Sequence, residues 1–264
     1  MRSLMSAAFM LLAAALPVAA QPSADVLKDL APTGKLRAAI NFGNGVLAQK
    51  GKDGEPQGIT ADLARELAKR LGVEVAFVTF EAAGKVFEAA KAGAWDVGFV
   101  AIEPVRAKDI DFTAPYVLIE GTYMVRQDSP LKEVGDVDKP GIRIAVGVGS
   151  AYDLYLTRTL KSATLVRAKV GGGRAMIDMF VADKLDAAAG VRQPLEAYAK
   201  DHPEMRVMAG HFQEIAQAMG TPKGRGAAGV AYLKAFVEEM KASGFVADAL
   251  KRSNQVAEVA PVAK

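Results

Sequence analysis

Apolar positions between residues 36 and 101 follow two patterns that take turns: short dense runs, and a spacing of four. Leu36 to Asn41 (LRAAIN) is a dense run closed by Asn, the pattern of a buried strand opening into a loop. After the Gly- and Lys-rich stretch Phe42 to Gly58, Leu63, Leu67 and Leu71 recur every fourth residue. Thr60 stands where a cap is needed, Asp62 falls in the first turn and Gly72 stops the pattern, which predicts a helix with one buried face. The same reading gives a strand at Val73 to Thr79, a helix near Lys85 to Lys91 ended by Gly93, and a strand at Asp96 to Ala101. Alternating strands and helices call for parallel sheet with right-handed crossovers and helices on both faces.

The β-prone stretch Tyr116 to Val125 and the turn Asp128-Ser129-Pro130 precede a second series of the same kind. It comprises strand Ile142 to Val146, helix Tyr152 to Leu160, strand Thr164 to Ala168, helix Ala175 to Lys184, strand Leu185 to Ala189 and helix Pro194 to Lys200. A strand at Gln213 to Met219 then leads through Thr221-Pro222-Lys223-Gly224 into the helical pattern Ala227 to Ser243. The expectation is two α/β lobes, each with its own sheet of about five strands. Val117 to Val125 and Val207 to Ala216 are apolar and β-prone, so two extended crossovers, and no flexible linker, form the hinge.

Composition removes several functions. The chain has 264 residues, 51% of them hydrophobic, enough for a sizeable core. With 33 basic and 30 acidic residues the formal charge is +3, and no basic run exceeds a pair such as Lys69-Arg70, which argues against nucleic acid or an anionic membrane as partner. There is no cysteine, hence no disulfide, thiolate nucleophile or cysteine-held metal. His202 and His211 are the two histidines and stand outside any metal-ligand spacing, so neither a Ser-His-Asp enzyme nor a cofactor or metal site is expected. Arg2 is followed by the uncharged, Ala- and Leu-rich stretch Leu4 to Ala20, closed by Val18-Ala19-Ala20. This reads as a signal peptide cleaved after Ala20, too short in its apolar core to span a bilayer, and it places the mature chain free in a periplasm.

Six segments carry a family likeness: Gln57 to Leu63 with Leu71-Gly72-Val73; Ala92 to Val97 (AGAWDV); Arg106 to Tyr116 (RAKDIDFTAPY); Ile142 to Ser150; Lys184 to Ala188 (KLDAA); and Ala242 to Phe245. In their order and spacing they resemble the family 3 extracellular solute-binding proteins, the periplasmic receptors of polar amino acid ABC transporters. The resemblance implies an α/β, two-lobed periplasmic binding protein fold of type II, each lobe a central, mostly parallel sheet flanked by helices. Residues 21–119 and 215–264 would form one lobe and 120–214 the other. It also implies a monomeric receptor rather than an enzyme. Such a receptor captures a small carboxylate-bearing solute, an amino acid or related organic acid, and delivers it to an ABC transporter permease in the inner membrane. The alternative on this scaffold is a periplasmic dehydratase of the cyclohexadienyl type.

By the same resemblance Arg106 grips the ligand's carboxylate as a bidentate fork, for which a guanidinium is suited; otherwise it is a surface residue paired with Glu103 or Asp109. Ser150, after Gly147-Val148-Gly149, is an anion cradle at a helix N-terminus, an ordinary N-cap, or both. Where amino acid receptors of the family place an Asp for the ligand's ammonium, this chain reads Gly190-Val191-Arg192-Gln193. Arg192 either joins Arg106 around a ligand with two anionic ends, or an acid lacking the amine, or else pairs with Glu196 in solvent. Glu103 replaces a customary Thr and either receives an ammonium or holds Arg106. Asn41, Phe42 and Asn44 of the first loop, Phe80 of the second and Tyr123 on a crossover complete the wall candidates, with core packing as the alternative for the aromatics. Gly171-Gly172-Gly173 is a flexible turn or an anion nest.

Overall fold

The computed structural model describes residues 21–169 and 172–263. The signal-peptide expectation and Gly171 lie outside them. A short helix α1 (Ala24–Leu30) leads into strand β1 (Lys35–Asn41), a small hairpin β2 (Gln49–Lys50) and β3 (Pro56–Gln57), and helix α2 (Ile59–Leu71). Along α2 the four-residue spacing does what it predicts, since Leu63, Leu67 and Leu71 are buried and Gly72 closes the helix in the left-handed conformation. Thr60 does not cap it. Gly58, at φ 97°, is the N-cap, while Thr60 lies inside the first turn and its hydroxyl donates to the Leu47 carbonyl.

Strand β4 (Glu74–Phe80), helix α3 (Ala83–Lys91) and strand β5 (Val97–Ala101) complete the first series. Strand β6 (Ile110–Arg126) is 17 residues long, and Pro115 within it coincides with a break in register against its neighbour, where a missing N–H is tolerated. The second series is β7 (Arg143–Gly147), α4 (Ala151–Thr159), β8 (Thr164–Ala168), α5 (Gly173–Ala182), β9 (Ala187–Val191), α6 (Arg192–Asp201) and β10 (Met205–Val207). Strand β11 (Gln213–Pro222), helices α7 (Ala227–Ala242) and α8 (Phe245–Arg252) and strand β12 (Glu258–Val259) follow.

The main strand order is β4-β1-β5-β11-β6-β9-β7-β8, with β10 and β12 also on β6. The β1–β4, β1–β5, β7–β8 and β7–β9 pairs are parallel, and the pairs made by β11 and β6 are antiparallel. Two separate sheets were expected; the ladder is instead continuous, because β6 belongs to both halves. Its residues 110–121 pair with β11 and residues 121–124 with β9. At about 3.3 Å per residue a strand of this length runs through two lobes.

The first lobe, carrying β1, β4 and β5, packs Leu36, Ile40, Leu63 and Phe236 on one face and Trp95, Val86 and Ile110 on the other. The second packs Met124, Met176, Phe180 and Leu195 beneath α5 and α6. One buried carboxylate ties the first lobe together: Asp96, fully inaccessible, accepts from the Arg37 backbone N–H (3.0 Å), from Arg37 Nε (3.0 Å) and Nη2 (2.7 Å), and from Arg225 Nη2 (2.8 Å). Among the described residues no helix is long and apolar enough to cross a membrane.

Candidate functional site

The C-terminal ends of β1, β4 and β5 face those of β7 and β9, the place where parallel sheets leave loops and helix N-termini free to bind ligands. Between them lies a cavity of about 550 Å³, within the usual range for small-molecule sites. Its walls come from both lobes: Asn41, Phe42 and Asn44 after β1, Val100, Ala101 and Arg106 around the end of β5, Ser150 and Tyr152 at α4, Met176 and Ile177 on α5, and Val191 and Leu195 at the start of α6.

The walls meet through backbone. A Cβ built on Gly172 would lie 2.4 Å from Gly43 Cα and 2.9 Å from the Glu81 carbonyl oxygen, and one on Gly149, at φ 70°, 3.0 Å from Gly84 Cα. At Gly172 the obstacle is main chain, which cannot swing away. Gly172→Val is therefore expected to hold the lobes apart and weaken ligand binding by at least about tenfold, since only the closed fraction binds. Calorimetry together with small-angle scattering checks this; wild-type affinity in the variant would show that closure at Gly43 is unnecessary.

Arg106 is placed by a tight turn. Pro104 occupies its second position, and the Arg106 N–H donates to the Glu103 carbonyl at 2.9 Å. The side chain is fully buried. Nη1 donates to the Ala101 carbonyl (2.9 Å) and Nη2 crosses the cleft to the Gly149 carbonyl (2.8 Å), while buried Nε has no partner among the described residues. No described carboxylate lies within ion-pair distance of this guanidinium. Burial, only partly offset by the charge of Glu103, lowers its pKa from 12.5 to about 10, so it stays a cation at neutral pH. A desolvated cation with an unmet donor in a cavity wall is a site for an anion.

Ser150 lines the cavity as the N-cap of α4, its oxygen accepting from the Asp153 N–H at 3.0 Å, which leaves the hydroxyl hydrogen to donate. Asn41 and Asn44 also line it, their side-chain oxygens engaged with the Gly43 and Val46 N–H groups.

Four other candidates are not brought to the cavity. Glu103 is 1% exposed, but its carboxylate accepts from Arg158 of α4 and from Gln213 Nε2 (2.9 Å), clasping the two lobes beside the cleft. Arg192 turns away to Glu120 and the Met208 and Gly210 carbonyls, with Glu196 a weaker partner at 3.5 Å. Tyr123 is core, its ring centroid 4.6 Å from that of Phe212. Phe80 packs with Val86 and Trp95. Of the glycine triplet, Gly172 and Gly173 line the cavity.

Sequence reasoning missed Gln217, Tyr152, Met176 and Ile177 in the wall, and Glu81, Arg174, Asp201 and His202 at its rim. Gln217 had a signal: it is a polar residue, 5% exposed, in the otherwise buried second half of β11. Burial pushes the Tyr152 hydroxyl up to about 12. Among the described residues no three metal-ligating side chains converge.

Residues 47–254 match the sequence model of the bacterial extracellular solute-binding proteins, family 3. The chain belongs to this family. Solved structures share its two-lobed fold. A mutant of ArgBP from T. maritima is 20% identical, with a TM-score of 0.73 over 87% of this chain and 99% of that one. A cysteine-binding protein from Campylobacter jejuni is 19% identical, with a TM-score of 0.73 over 89% and 98%. The ancestral amino acid-binding protein AncCDT-1, a precursor of cyclohexadienyl dehydratase, is 24% identical, with a TM-score of 0.71 over 86% and 98%. In this family 3 solute-binding protein the cavity therefore lies between the lobes, with Arg106 in its wall.

Proposed function

We propose that this family 3 protein is a periplasmic receptor that captures a small carboxylate-bearing solute, an amino acid or related organic acid, for import by an ABC transporter permease. The observation that carries the reading is the buried Arg106 cation, without a carboxylate partner, in a cavity that both lobes enclose. The Ser150 hydroxyl donates beside it, and closure removes water and strengthens both contacts. In this reading residues 1–20 are a leader cleaved after Ala20, and the protein works as a monomer. Residues 21–119 with 215–264 and residues 120–214 move as two lobes about β6 and β11.

The dehydratase alternative needs an acid at the substrate ring. Glu103, the buried carboxylate nearest Arg106 in sequence, is held by Arg158 and Gln213 outside the cavity, and the carboxylates that border the cavity, Glu81 and Asp201, are exposed, so the receptor reading is preferred. A thermal-shift screen of residues 21–264 against amino acids, mono- and dicarboxylates and prephenate-like rings tests it. A raised midpoint that disappears in Arg106→Ala supports the receptor; steady turnover of a prephenate-like ring overturns it.

Because the protonated guanidinium is the form that holds an anion, affinity for an acid without an amine is expected to be flat between pH 6 and 9. Above about 10 it should fall by roughly tenfold per pH unit. Calorimetry across that range reads it, and a decline already present between pH 7 and 9 would assign the anchoring to another group.

A further inference from the structure

Resting on the receptor reading, we propose that the cavity selects a monocarboxylate with an apolar body and no amino group. The buried wall that surrounds Arg106 is mainly apolar, with Val100, Met176, Ile177, Leu195 and Ile215 each at most 4% exposed, and its buried polar members Asn44 and Gln217 are neutral. The other charged groups that border the cavity, Glu81, Arg174 and Asp201, are exposed and stand at its rim, with the part-buried His202 beside them. Arg174 is already engaged, bonded to Asp178 at 2.8 Å and stacked over Tyr198.

An α-ammonium is two bonds from its carboxylate carbon, so a ligand anchored on Arg106 must carry that ammonium into the buried part of the cavity. There it meets a fixed cation and no described carboxylate. Like charges in a desolvated site repel, and a buried ammonium without a counter-charge is costly. The neutral oxygens nearby supply no counter-charge: Ser150 and Asn44 each already accept one backbone N–H and keep a single further lone pair. Gln217, whose side chain makes no hydrogen bond to a described residue, adds one neutral acceptor. A second anionic end fares no better, since Arg192 is spent on Glu120 and two carbonyls outside the cavity. An apolar tail would meet matching walls, since Met176, Ile177 and Leu195 line the cavity and the thioether of Met176 adapts to varied shapes.

Calorimetry on residues 21–264 tests this with matched pairs: pentanoate against 2-aminopentanoate, 4-methylpentanoate against leucine, and 3-phenylpropanoate against phenylalanine, with pentanedioate as the dianion. Each acid that binds is expected to bind at least about tenfold tighter than its amine-bearing partner and than pentanedioate. Val191→Asp places a carboxylate in the cavity wall at the N-cap of α6, a position where Asp is well tolerated, and should bring the amino acids to at least parity. An amino acid or pentanedioate that binds wild-type protein as tightly as the plain acids overturns this inference. If that binding is lost in Arg106→Ala, the receptor reading stands. No Arg106-dependent binding by any of these compounds overturns both.

Discussion

Arg106→Ala is expected to abolish ligand capture while leaving the fold as stable as before. In the complex the guanidinium would be a desolvated, charge-assisted partner of the ligand's carboxylate, and truncating such a partner removes on the order of 3 kcal/mol or more, at least about a hundredfold in affinity. In the unliganded protein the balance runs the other way. The side chain makes two hydrogen bonds to carbonyls, leaves Nε unmet and has no ion-pair partner among the described residues, so its burial favours neither charge nor fold. Removing this uncompensated charge relieves its desolvation cost, which offsets the two lost hydrogen bonds and the vacated volume. Calorimetry should thus lose its signal while the urea midpoint holds or rises. Retained affinity would show that the ligand is anchored elsewhere, and a collapse in stability would make Arg106 a structural residue.

Asp96→Ala is expected to do the reverse. Asp96 gathers hydrogen bonds from Arg37 on β1 and from Arg225, just before α7, so it links the start of the first lobe to the segment that returns to it late in the chain. Without it two guanidinium groups and one backbone N–H lose a common acceptor in a place where the carboxylate itself had no exposure. Breaking a buried pair costs about 3–5 kcal/mol; because Arg37 and Arg225 keep 27% and 19% exposure and can partly rehydrate, the lower end applies. The urea midpoint should fall at unchanged slope, while affinity measured on the folded fraction stays within about twofold. A loss under about 1 kcal/mol would mean that both arginines turn out to water.

Much of the fold was legible in the chain. Leu63, Leu67 and Leu71 with Gly72 define α2 to within a residue, and the run Thr164 to Ala168 is β8 as observed. These features are local, written in the spacing of apolar side chains and in a glycine free to adopt positive φ. The short helices α1 and α8 and the strand β12 were not anticipated, because eight residues or fewer carry too little periodicity to stand out. The continuity of the sheet through β6 was also hidden. Whether a long β-prone run serves one sheet or two depends on its partners, here β11, β9 and β10.

The site divides in the same way. Arg106 and Ser150 stand at a turn and a helix cap that neighbouring residues specify, and both reach the cavity. Glu103 and Arg192 have equally suggestive positions and do not. Glu103 is claimed by Arg158, 55 residues away, and Arg192 by Glu120, 72 residues away. The sequence by itself determined the order of the longer strands and helices, the Gly72 stop, the Ser150 cap and the family likeness, because those rest on contacts a few residues apart. Only the tertiary structure decided which charges face the cavity, since a long side chain follows its strongest partner and that partner is brought near by the fold.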